Sequence, residues 1–177
     1  MKNIKYILTF LLFIFYLSPV YSQDKIAVLD VFKLLKDSKA AISITEQLNA
    51  VAKKYDAEGQ KKQTTIQKQE EELLRQKSTL TPEAFSDRKN TFEKKVIEFN
   101  KDTQTKRKKI TEARKKAIEE IEKEVEIILK KIIETDKITA VIKKTSVVLS
   151  EDSIDITQKV IDELDKKLSS VKVNITP

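Results

Sequence analysis

At 177 residues, with a net charge of +7 and 36% charged side chains, the chain has the length of one domain. It holds one glycine and no cysteine, histidine or tryptophan. That composition excludes thiol and imidazole catalysis, zinc-finger and disulfide frameworks and glycine-rich phosphate loops, and it points to long helices.

Lys2 and Lys5 precede an uncharged apolar run from Tyr6 to Leu17, closed by Ser18-Pro19 and Val20-Tyr21-Ser22. This pattern reads as a secretory signal over residues 1–22, cleaved between Ser22 and Gln23. The run is shorter than the roughly 20 apolar residues of a membrane span, although an uncleaved anchor is the alternative. No cysteine stands at the cleavage site for a lipid anchor. The mature chain is expected to be exported, soluble and stable without disulfides.

Ile26-Ala27-Val28-Leu29-Asp30-Val31 is short, apolar and β-branched, which predicts a strand buried on both faces. Phe32, Leu34 and Leu35 suggest a helical turn packed on it. Asp37-Ser38 offers a cap for a helix starting near Lys39. From Ala40 to about Ser78 the pattern is helical, first through Ile44, Leu48, Val51 and Tyr55. Ile66, Leu73 and Leu80 then recur every seven residues, a narrow coiled-coil seam. Gly59 interrupts this helix and is a candidate hinge.

Thr79-Leu80-Thr81-Pro82-Glu83 predicts a turn, with Thr81 as N-cap, Pro82 at the first helical position and Glu83 at the positive helix end. A second helix is expected from Pro82 to about Thr135, its seam including Phe85, Phe92, Phe99, Ile110, Ala113, Ala117, Ile121, Val125, Ile128 and Ile132. Glu71–Arg75, Glu112–Lys116, Glu119–Lys123 and Glu126–Lys130 are spaced for ion pairs. So short a turn makes the two helices antiparallel.

Beyond Asp136 the period changes. Ile138–Ile142 and Ser146–Leu149 predict two strands, and Asp155 a cap for a last helix from Ile156 to about Leu168. The fold class is therefore α+β, mostly α. A small β-containing base comes from residues 23–40 and 136–170. A helical-hairpin arm spans 41–135, with its turn near 79–82, and a loose tail spans 171–177. Ile26, Val28, Leu29, Ile138, Val141, Val147, Leu149, Ile156, Val160 and Leu164 are the candidate base residues. A base this small, without disulfides or metal, is expected to oligomerise.

Past the expected signal, the excess positive charge falls in the arm, and the two ends of the mature chain are balanced. Lys106, Arg107, Lys108, Lys109, Arg114, Lys115 and Lys116 form a basic stretch that can attract acidic clients or an anionic lipid surface, or simply keep arms apart and solvated. Phe85, near the tip, is the apolar candidate for client contact. No catalytic, metal or cofactor residues are expected.

These residues together resemble the Skp, or OmpH-like, periplasmic chaperones. The resemblance rests on a signal peptide followed at once by Ile26-Ala27-Val28-Leu29-Asp30 and on the Lys/Glu/Gln-rich hairpin. It rests also on the closing block Ile138-Thr139-Ala140-Val141, Val147-Val148-Leu149 and Asp155-Ile156-Thr157-Gln158-Lys159-Val160. Ser150 stands where many members have a tyrosine. The resemblance implies a jellyfish-like homotrimer with a central β body and projecting arms. It implies ATP-independent binding of unfolded outer-membrane β-barrel proteins in the periplasm. The missing phosphate loop agrees with independence from nucleotide. The competing readings are an envelope coiled-coil structural protein and a basic, non-specific nucleic-acid binder. Against the second, no aromatics interleave the basic residues to stack on bases. An enzyme is disfavoured because the carboxylates are spread along helix faces.

Overall fold

Capping chemistry sets where each long helix starts in the computed structural model, which describes residues 24–175. Ser22 and Gln23, with the rest of the expected signal segment, lie outside the described residues. The order is β1 (Ile26–Leu29), α1 (Val31–Asp37), α2 (Lys39–Gln76), α3 (Pro82–Asp136), β2 (Ala140–Lys143) and α4 (Thr157–Lys167). Asp30 caps α1 through a hydrogen bond from the Lys33 N–H at 2.9 Å. Ser38, fully buried, accepts from the Ala41 N–H and opens α2. Asp165 of α4 adds a carboxylate on the Lys39 N–H at 2.8 Å, where the helix dipole favours negative charge. Thr81 caps α3, followed by Pro82 and Glu83 in the first turn as expected.

α2 has 38 residues and α3 has 55, so at 1.5 Å per residue they are about 57 and about 82 Å long. The turn between them folds α3 back along α2. Lys62 with Asp102, Gln69 with Lys95, and Gln76 with Arg88 join the two helices at steps of seven. That register sets Ile66 level with Phe99, Leu73 with Phe92 and Leu80 with Phe85.

α3 ends at Lys137, which adopts a left-handed conformation with φ 54° and donates its N–H to Ile133. A β-carbon disfavours that conformation, and here the surroundings hold it. Lys25 donates to the Asp136 carbonyl at 3.2 Å, and the Asp136 side chain pairs with Lys159 of α4. The reversed chain then enters β2, which lies parallel to β1 with Ile26 opposite Ala140 and Leu29 opposite Lys143. Because the strands are parallel, the whole arm is the crossover between them.

The second strand expected at 146–149 does not form. Lys144–Ser146 make a single 3-10 turn, and β1's other edge is taken by the Asp155 segment, with the Ile156 N–H on the Val28 carbonyl at 2.9 Å. β1 is occupied on both edges, and although the outer edge of β2 is open, no glycine or asparagine turns 146–149 back onto it. The last helix starts at Thr157 rather than Ile156, with Ile156 as its N-cap, and Asp155 stands one residue before that cap, where it accepts from the Thr157 N–H at 2.9 Å.

The core lies at the base and in the lower hairpin. Val28, Leu48, Ile121, Val160, Leu164 and Val171 are buried to within 2% exposure. Fully burying such a side chain is worth about 1.5–3 kcal/mol. Two expectations for β1 and α1 need correction. Ile26 stays 44% exposed because its end of the strand is uncovered, and Phe32 is 74% exposed because α1 turns Leu34 inward instead. The tail is also not loose: Val171 joins the core and Val173 and Ile175 pack against it. Among the predicted ion pairs Glu126–Lys130 forms, at 2.7 Å, but Glu112 and Glu119 approach Lys108 and Lys115, one turn earlier.

Candidate functional site

The basic stretch lies on α3 where close packing stops. Ala113 is the outermost buried residue of α3 and Leu48 that of α2. Beyond them, toward the tip, the seam residues are only half-buried. Arg107, Lys108, Arg114, Lys115 and Lys116 are exposed, and Lys109 is half-buried. Positions 107–109 and 114–116 repeat at seven, while Lys106, Ile110, Ala113 and Ala117 face α2. The outer face of α3 is thus a basic collar, roughly 45 Å from the tip. Lys108 and Lys115 meet glutamates at 3.8 and 4.0 Å, exposed contacts worth little. Arg107, Lys109, Arg114 and Lys116 have no ion pair among the described residues.

Lys106 does not belong to the free collar. Its ammonium sits 2.9 Å from Glu58, 3.3 Å from Asp102 and 5.0 Å from the centre of the Tyr55 ring. Asp102 also takes Lys62 at 2.7 Å. Hydrogen bonding to Glu58, then to Asp102, holds the Lys106 pKa above the ordinary lysine value. The hydrogen bond from Lys106 lowers Glu58, and that from Lys62 lowers Asp102. The group is a polar rivet between the helices. Sequence order hid it, since Glu58 and Lys106 become neighbours only through the antiparallel register.

Gly59 lies beside this rivet, within a continuous helix. A β-carbon built there meets nothing within 4 Å. With Ala52, Tyr55, Phe99 and Ile110, Gly59 lines an open cleft of about 730 Å³. Ile66 and Phe99 line a second cleft of about 580 Å³, and Leu73 and Phe92 a third of about 330 Å³. Phe85 is half-buried at the turn, level with Leu80. The outer hairpin therefore carries aromatic residues at regular intervals in a loosely filled seam.

The base carries the other exposed apolar surface. Val148 and Leu149 are 105% and 90% exposed, so Leu149 is no part of the core of a single chain, and Val147 is half-buried. Leu29, Leu34, Leu35, Val125, Leu129 and Val141 line an apolar groove of about 310 Å³ on the same base. Among the other base candidates, Val28, Ile138, Val160 and Leu164 are buried and Ile156 is half-buried. Lys144 and Asp155 anchor the exposed segment at 2.8 Å. Burial alone would raise the Asp155 pKa, but hydrogen bonds from Lys144 and Thr157 outweigh it and lower the value to about 2. No helix of the described residues is long and apolar enough to cross a membrane.

A family model described as outer membrane protein (OmpH-like) matches residues 25–164. The fold is similar to a crystal structure from Caulobacter crescentus assigned as an outer membrane chaperone (OmpH-like). That match has a TM-score of 0.77 and 16% identity, and covers 88% of this chain and 92% of that one. No curated protein matches the chain.

Proposed function

This chain belongs to the OmpH-like family, and from that premise we propose that it is an ATP-independent periplasmic holdase for unfolded outer-membrane β-barrel proteins. The observation that carries the reading is the outer hairpin. It extends well past the core, is charged outside and loosely filled inside, and contributes little to its own burial. Such an arm is built to contact something else.

Unfolded barrel proteins expose alternating apolar strands that aggregate readily. Many weak contacts along several arms hold such a chain by effective concentration rather than through one pocket. Lysine and arginine stems touch apolar segments while their tips stay in water. On this reading Arg107, Lys108, Lys109, Arg114, Lys115 and Lys116 attract acidic client segments or an anionic lipid surface, Phe85 touches clients near the tip, and Lys106 positions the arm. Signal cleavage between Ser22 and Gln23 delivers the chain to the periplasm.

The arms act together in a homotrimer assembled through the base. The exposed Val148 and Leu149 beside the half-buried Val147, the exposed Ile26 and Phe32, and the apolar groove along Leu29 and Val141 support assembly. An uncovered β-rich segment is a ready partner for another chain.

The test is light scattering on residues 23–177, with and without an equimolar barrel protein diluted from urea. A mass near three chains, with aggregation suppressed and no nucleotide added, is the expected result. A trimer that leaves aggregation unchanged sinks the holdase reading and leaves the envelope structural role. Binding that tracks added DNA and fades with salt indicates the nucleic-acid reading.

A further inference from the structure

Gln47 leaves α2 at the root of the arm and meets the tail. Its carboxamide nitrogen donates to the Val171 carbonyl at 2.8 Å, and its carboxamide oxygen accepts from the Val173 N–H at 3.0 Å. The same nitrogen reaches the Ser43 carbonyl at 3.2 Å and the Ser43 hydroxyl at 3.0 Å, which fixes the amide plane. In an extended chain the carbonyl before a residue and the N–H after it point to one side. They are the pair that a neighbouring parallel strand would bind. Gln47 takes both groups around Lys172, whose side chain stays exposed.

Apolar burial follows the same alternation. Val171 is 2% exposed and Val173 and Ile175 pack on the core, while Lys172 and Asn174 face water. The segment is held as a sheet would hold a strand, yet it belongs to no sheet. Recognition through the backbone is indifferent to the side chain between the two contacts.

We propose that this surface of α2 is a strand-capture site, with the chain's own tail as resident, and that an extended segment of alternating apolar and polar residues displaces the tail. The tail's short tether to α4 gives it a high effective concentration. Only a segment already held nearby competes with it. That the incoming segment is a stretch of unfolded barrel protein rests on the chaperone reading, whereas the site itself does not.

The experiment uses the full mature chain carrying Val171→Asp and Val173→Asp, which loosens the tail and leaves α2 unaltered. The probe is a fluorescein-labelled peptide of the Ser169–Pro177 sequence, and its twin is methylated on the Val173 nitrogen. By anisotropy, the loosened chain binds the probe at least about tenfold more tightly than the unaltered chain does, and the twin at least about tenfold less tightly than the probe. Gln47→Ala in the loosened chain removes that discrimination. Binding of neither peptide, or equal binding of both, overturns the proposal.

If the double variant loses helicity, Gln47→Ala alone is read by hydrogen exchange. The Val173 amide then exchanges several-fold faster while Leu164 does not change, and unchanged exchange at Val173 overturns the proposal. Aggregation suppression by the same chains is scored separately. Suppression without peptide capture sinks this site and leaves the chaperone reading, and capture without suppression does the reverse.

Discussion

The root of the hairpin and its outer half are made from the same two helices, yet they are packed in different ways. At the root, Ala40, Ala41, Ala113 and Ala117 are buried in the core, and α1, α4 and the tail pack against the same cluster. In the outer half only two helices are present, so each buries a single stripe, and Phe92, Phe99, Ile66 and Leu73 stay half-buried. Enlarging the seam residues to phenylalanine does not replace a missing layer. It leaves clefts at successive heptads. Burial depends less on how apolar a helix is than on how many neighbours it has.

The sharpest way to break this comparison is to truncate one apolar side chain in each region. Leu164→Ala at the base, where the side chain has no exposure, is expected to cost about 3 kcal/mol in urea unfolding. Phe92→Ala in the outer seam removes more atoms but is expected to cost under about half as much, with faster hydrogen exchange confined to the outer hairpin. Equal costs would mean that the outer seam is as closely packed as the root.

Acid separates the regions next. The Asp155 pKa is lowered from 3.8 to about 2, so its pairing adds stability that is complete above the unfolded-state value and is lost as pH falls from about 4 toward 2. Allowing for partial exposure, that loss is about 1 kcal/mol, all of it in the base. Asp155→Asn should flatten this part of the pH profile, read by urea midpoints at successive pH values.

Gly59→Ala acts on the arm alone. The added methyl meets open space, so the change is expected to stabilise α2 by about 0.5–1 kcal/mol and, in the proposed trimer, to narrow spin-label distance distributions between arms. An unchanged distribution would remove Gly59 as a hinge. The smallest effect belongs to the Lys106 rivet. Lys106→Met should raise exchange near Tyr55 and Phe99 by about two- to threefold at low salt, and added salt should erase the difference from the unaltered chain.

What was legible in the sequence depended on where each partner lies. Ser38 and Thr81 are readable as caps because a cap and the amide it binds are neighbours along the chain. The hairpin followed from the turn at Thr81-Pro82 and the heptad seam. The strand expected at 146–149 does not form, because β-rich composition reports a willingness to pair, and the 3-10 turn at Lys144–Ser146 does not fold the segment back onto the open edge of β2. The tail was read as loose although Val171, Val173 and Ile175 alternate, because its partner, Gln47, is distant in sequence. Lys106 looked like one more collar charge for the same reason. The family resemblance was legible in the order of its blocks, and the match over residues 25–164 agrees with it.

The parallel pairing of β1 and β2 also sets an order of folding. β1 comes early in the chain, but its partner strand follows only after the whole of α2 and α3. Closing so long a loop from a disordered chain costs entropy before the four-residue strand pair returns anything. A helical hairpin forms through contacts local to its turn, and its zippering brings both ends back to one place. The arm is then a splint for its own base, and the strand made first is among the last to find its partner.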